Sequence, residues 1–147
     1  MPDDSDLGPQ LSARLTYLLK RALVELHRLH DDHLGPYGID ARELGVLLFL
    51  DGREPESQQQ AARHLGVDRT TMVALLDSLE AKRLVVRQTD ASDRRRNVVV
   101  VTDAGRDLLA HATRASDDAE RQLLADLDAT EAAQLRSLLR RVATKRA

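Results

Sequence analysis

The chain has 147 residues, enough for one domain with a real core, and only three aromatic residues, Tyr17, Tyr37 and Phe49, so Leu, Val and Ala carry the apolar content and point to packed helices. Its 22 basic and 24 acidic residues nearly cancel, which excludes a globally basic nucleic-acid binder but leaves room for a local patch. Cysteine is absent, which excludes disulfides and thiolate metal sites; no apolar run approaches a membrane span of about 18 residues, and the acidic start MPDDSD is unlike a secretion signal, so a cytoplasmic protein is expected.

Leu11, Leu15, Leu18, Leu19, Ala22, Leu26 and Leu29 recur at three- and four-residue spacing and predict an amphipathic helix that ends at LGPYG. Asp40 can cap a second helix, ARELGVLLFLD, whose Val46–Leu50 run is apolar on nearly all sides and is expected at the centre of the core. Ser57 is a good N-cap for the short helix QQQAARHL, Gly66 ends it, and Asp68 caps a longer helix, RTTMVALLDSLEAK. Two helices joined by about three residues suggest a helix-turn-helix, with Ala62, Gly66 and Met72 where a tight crossing needs a small side chain, a turn and a buried contact.

LVVRQT and NVVVVT are β-branched and predict a hairpin with a seven-residue polar tip, DASDRRR. The positive charge concentrates here: residues 1–52 carry 5 basic and 9 acidic groups, residues 53–102 carry 9 and 7, and residues 103–147 carry 8 and 8. Thr102 can cap a long helix with an apolar stripe from Leu108 to Leu127, and Asp128 to Glu131 form a capping-box pattern that opens a last helix.

Helix, helix, helix-turn-helix, hairpin and two long helices make a mainly α fold with a small β-hairpin wing. From about Asp40 to Gly105 the chain resembles the MarR-type transcriptional regulators. The most specific part is DASDRRRNVVVVTDAG, similar to the family's wing pattern Asp-Pro-x-Asp-Arg-Arg, strand, Leu-Thr and a helix-starting Gly: Asp90, Asp93, Arg94, Arg95, Thr102 and Gly105 match, whereas Ala91 replaces Pro and Val101 replaces Leu. GVDRTTMVALLDSLEAKRLVVR is similar to the recognition-helix region, but Arg83 stands where the family has a closing glycine, so either a left-handed cap costs about 1 kcal/mol there or the turn differs. Val73 and Ala74 stand where the family often has Ser and Arg.

The resemblance implies one domain over residues 1–147, with 8–36 and 103–146 as dimerisation helices around a winged helix-turn-helix at 40–102. It implies a homodimer on a palindromic double-stranded operator, most often a repressor, with a small-molecule effector of phenolic or lipophilic type, no cofactor, no membrane partner and no catalytic residues. Arg95 would enter the minor groove with Asp93 as its organiser, and Arg94 or Arg96 would meet phosphate. Physical chemistry supports this use of arginine, because a narrow minor groove has a strong negative potential and guanidinium sheds water readily. Arg69, Thr70 and Thr71 would lie at the major-groove end of the recognition helix, Val73 and Ala74 against thymine methyl groups, and Ser57, Gln58 and Gln59 on phosphates. Tyr17, His30 and Tyr37 are the candidates for an effector pocket between the dimer helices and the DNA-binding part.

Three other readings of the residues remain open. A winged helix can bind protein, or bind DNA without a ligand. The series His27, His30 and His33 invites a metal-responsive regulator, although steps of three residues turn the three side chains progressively apart on a helix. An enzyme built on these histidines and carboxylates lacks a Gly-rich phosphate loop and a nucleophile motif.

Overall fold

The computed structural model describes residues 7–144. It is mainly helical with one antiparallel hairpin: α1 Gly8–Ser12, α2 Leu15–Leu34, a 3-10 turn at Gly35–Tyr37, α3 Ala41–Leu50, α4 Gln58–Leu65, α5 Arg69–Ala81, β1 Val85–Thr89, β2 Asn97–Val101, α6 Asp103–Leu123 and α7 Ala129–Ala143. The chain divides into a central unit, residues 30–116, and a terminal unit formed by the chain up to Leu29 and from Asp117 onward. No helix among the described residues is long and apolar enough to cross a membrane.

In the terminal unit, the single helix expected from Leu11 is interrupted. Arg14 N–H donates to the Leu11 carbonyl at 3.0 Å, a tight turn that separates α1 from α2, although neither Ala13 nor Arg14 is a helix breaker. The last helix follows its sequence signal: Glu131 N–H donates to Asp128 Oδ1 at 2.8 Å and Asp128 N–H to Glu131 Oε1 at 3.0 Å. Arg136 Nη2 reaches Glu120 Oε2 at 3.2 Å and ties α7 to the end of α6. Large apolar side chains of α2 and α7 nevertheless stay exposed, among them Leu15 at 67%, Val24 at 59%, Leu138 at 54% and Val142 at 59%.

In the central unit, Asp40 and Glu43 form the capping box of α3, with Glu43 N–H on Asp40 Oδ1 at 2.8 Å and Asp40 N–H on Glu43 Oε1 at 3.2 Å. Glu43 is buried, and its other oxygen accepts from Ser78 Oγ at 3.1 Å and Lys82 Nζ at 2.6 Å on α5. Val46, Leu47 and Leu50 enter a core with Met72, Leu76 and Leu79 of α5, Val85, Val99 and Val101 of the hairpin, and Leu109 of α6. Leu48 is 49% exposed, so the apolar run of α3 is not enclosed on every side.

The two helices of the helix-turn-helix end in the same way. At the end of α4, Gly66 has φ +64°, Gly66 N–H donates to the Arg63 carbonyl and Val67 N–H to the Ala62 carbonyl. At the end of α5, Arg83 has φ +62°, Arg83 N–H donates to the Glu80 carbonyl and Leu84 N–H to the Leu79 carbonyl. Both are Schellman closures, which require a left-handed residue, and only the first uses glycine. The left-handed alternative at Arg83 is therefore the one adopted. Arg83→Gly should raise stability by about 0.5–1 kcal/mol, since the side chain is exposed and the relief of left-handed strain exceeds glycine's extra unfolded-state entropy. A higher urea midpoint with an unchanged slope is the expected readout, and a lower midpoint would contradict it.

The hairpin pairs Val85 with Val101, Arg87 with Val99 and Thr89 with Asn97. Val99 also donates its N–H to the Glu56 carbonyl at 2.9 Å, so the segment before α4 borders β2 on its other edge. After β2, Thr102 Oγ1 donates to the Arg83 carbonyl at 2.7 Å and accepts from Gly105 N–H at 3.0 Å, which starts α6 and fastens it to the end of α5.

Candidate nucleic-acid interface

Three pieces of the central unit carry the polar side chains at issue: the start of α4, the start of α5 and the hairpin tip. Each is shaped by local capping. Ser57 caps α4, with Gln60 N–H donating to its Oγ at 3.2 Å and its own N–H donating to Gln60 Oε1 at 3.1 Å. The glutamine run therefore divides: Gln60 closes the cap, Gln58 Oε1 accepts from Arg87 Nε at 3.4 Å, and Gln59 is exposed.

Asp68 caps α5 by accepting Thr71 N–H at 2.8 Å and Thr71 Oγ1 at 2.7 Å. These two bonds, the backbone one first, hold the Asp68 carboxyl below its ordinary range. Thr71 is thus engaged within the protein, while Arg69 and Thr70 are exposed on the first turn. Ala74 is exposed one turn further on, and Val73 is half-buried.

At the hairpin tip, Ser92 N–H and Oγ both donate to Asp90 Oδ1 at 3.0 Å, and these bonds, with the Arg96 charge as a smaller contribution, hold the Asp90 carboxyl below its ordinary range. Asp93 Oδ1 accepts from Arg95 N–H at 3.1 Å and lies 3.6 Å from Arg95 Nε. Arg94 and Arg95 are exposed, Arg95 almost completely. Arg96 faces the protein instead: its Nη2 donates to Gln60 Oε1 and its Nε lies 3.8 Å from Asp90 Oδ2.

Arg87 was not among the residues the sequence singles out. It is three-quarters buried and pairs with Asp77 at 2.9 Å and Glu80 at 3.0 Å on α5, besides its bond to Gln58 on α4. The signal was available in strand alternation, since Arg87 shares a face with the buried Val85. Ser57, Gln58, Arg69, Arg87 and Asn97 line an open, polar cleft of about 280 Å³ where the two helix starts meet the hairpin. Two helix N-termini converge on it, each favouring negative charge, while the Arg87 guanidinium is already paired with Asp77 and Glu80.

The other candidates lie elsewhere. Tyr17, in the terminal unit, is half-buried with the Arg21 guanidinium 5.8 Å from its ring centre. In the central unit, the His30 ring is buried with Nε2 at 2.9 Å from Ser116 Oγ, and Tyr37 stacks on His111 with ring centres 6.3 Å apart. Among the described residues no group of three His, Asp or Glu side chains comes together to hold a metal.

Residues 37–96 match the family model described as the MarR family. Among solved structures, the chain is similar to the transcriptional repressor CouR bound to a 23-mer DNA duplex, with 34% identity over 92% of this chain and 96% of that one and a TM-score of 0.85. It is also similar to CouR from Rhodococcus jostii RHA1 bound to p-coumaroyl-CoA, at 30% identity over 95% and 99% with a TM-score of 0.81. A third similar structure is the S. aureus MepR–DNA complex, at 27% identity over 89% and 97% with a TM-score of 0.74.

Proposed function

Since the chain belongs to the MarR family of DNA-binding transcriptional regulators, which are not enzymes, we propose that it acts as a homodimeric repressor that reads a palindromic operator and is released by a small effector. The observation that carries this reading is the pairing, on one unit, of an exposed first turn of α5 with an exposed Arg94–Arg95 wing tip. The α5 turn would enter the major groove with Arg69 and Thr70 toward phosphate and base edges, and Ala74 and Val73 toward thymine methyl groups. Thr71 would act mainly by holding Asp68. Arg95 would enter the minor groove, Arg94 would meet phosphate, and Ser57, Gln58 and Gln59 would flank the backbone from α4.

Dimerisation through residues 8–36 and 103–146 is supported by the exposed leucines and valines of α2 and α7, apolar side chains that a partner surface would cover. Residues 40–102 would then supply one reading head per protomer, and two-fold symmetry would require a two-fold operator. The repressor role is supported by the likeness to CouR, described as a transcriptional repressor. A phenolic or lipophilic effector is supported by the likeness to the p-coumaroyl-CoA complex, with Tyr17, His30 and Tyr37 as candidate contacts. Linkage then requires that DNA weaken the effector by the factor by which the effector weakens DNA. On this reading the protein works in the cytoplasm, where its operator is.

The test is selection from genomic fragments by mobility shift at low salt, followed by light scattering. A palindromic site and a particle of twice the 16.4 kDa chain mass are expected. Failure to enrich any two-fold site, or a monomer at micromolar concentration, would sink the proposal.

A further inference from the structure

The three consecutive arginines of the wing do not share one task. Arg94 and Arg95 point away from the protein, whereas the Arg96 side chain is only 38% exposed. Its guanidinium donates to Gln60 Oε1, an oxygen that also accepts the Ser57 N–H in the cap of α4. Its Nε faces Asp90, its carbonyl accepts from Asp90 N–H at 2.8 Å, and its own N–H donates to the Asp93 carbonyl at 3.0 Å. Arg96 thus joins the tip of the wing to the first turn of α4 across 36 residues of sequence.

We propose that Arg96 is a positioning residue, a latch that holds the wing tip at a set distance from the start of α4 and does not itself contact DNA. The inference rests on the reading above in which Arg95 enters the minor groove. A two-stranded ribbon swings most beyond its last outside contact, at the tip where Arg95 sits. The middle of this wing, the Arg87–Val99 pair, is held by Val99 on Glu56 and by Arg87 on Asp77 and Glu80. Neither contact restrains the tip, and Arg96 does so through Gln60. A phosphate contact by Arg96 would have to break that bond and turn the Asp90 carboxylate, left without its arginine, toward a polyanion. Keeping Arg96 on Gln60 and Asp90 avoids both costs and leaves Arg95 pre-oriented.

The salt dependence of binding separates a latch from a phosphate contact. Each phosphate neutralised contributes about 0.9 to the slope of log K against log salt, so loss of an Arg96 contact in both protomers would remove about 1.8. On the operator duplex recovered by the selection above, Arg96→Ala should weaken binding roughly tenfold with the slope unchanged, while Arg95→Ala lowers affinity and slope together. In a Gln60→Ala background, Arg96→Ala should cost little more, because the two side chains act as one unit. A slope reduced by about 1.8 in Arg96→Ala, an unchanged affinity, or full additivity with Gln60→Ala would overturn the latch. Unchanged binding by Arg95→Ala would overturn the wing reading itself, and the latch with it.

Discussion

Arg95→Ala is expected to weaken operator binding by about 1–3 kcal/mol per half-site, roughly 30-fold or more when both wings of a dimer are engaged, with the fold and the association state unchanged. The side chain is 95% exposed, and among the described residues Asp93 is its ionic partner, so its removal opens no cavity and leaves no buried group unpaired. The whole effect should therefore appear in DNA binding. Arg95→Lys should be intermediate, because an ammonium keeps the charge but holds its water more tightly and lacks the planar fork. Asp93→Ala should lose less than Arg95→Ala, since it frees the arginine without deleting it. Anisotropy titrations on one operator at fixed salt would measure all three, and wild-type affinity in Arg95→Ala would remove the wing from the interface.

Gly105→Ala is expected to be the most damaging single-methyl change in the central unit. A Cβ on Gly105 would sit 2.2 Å from the Leu84 carbonyl oxygen and 2.8 Å from Val101 Cγ1. Neither neighbour can yield cheaply: the Leu84 oxygen accepts the Thr102 N–H at 3.0 Å, and Val101 is buried opposite Val85 in the hairpin. Overpacking of a core commonly costs 1–3 kcal/mol, and here the backbone itself is struck and a hydrogen bond strained, so about 3–4 kcal/mol is expected. That is a large share of the roughly 5–15 kcal/mol that holds a domain together. Urea unfolding measures it directly, and a loss under about 1 kcal/mol would mean that the first turn of α6 shifts freely.

Both predictions fall in DASDRRRNVVVVTDAG, the stretch most legible in the sequence. Its legibility has a physical origin: turn, strand and cap each demand particular residues at particular spacings, and Asp93, Thr102 and Gly105 have few substitutes. Caps at Asp40, Ser57, Asp68 and Asp128 were readable for the same reason. What could not be read depends on side chains meeting across sequence. Charge alone does not distinguish Arg96 from Arg95; only the arrival of Gln60 beside it does. Arg87 looked like one polar residue in a strand until Asp77, Glu80 and Gln58 were brought to it. The turn between α1 and α2 left no mark either, since Ala13 and Arg14 suit a continuous helix.

Glu43 has a consequence for signalling. One carboxylate closes the first turn of α3 and grips Ser78 and Lys82 near the far end of α5, away from the exposed turn that carries Arg69. These contacts tie the C-terminal end of α5 to the first turn of α3, so a displacement of α3 would carry that end of α5 with it. On the proposed reading, an effector would act by changing where α5 is inserted rather than by reshaping its exposed first turn.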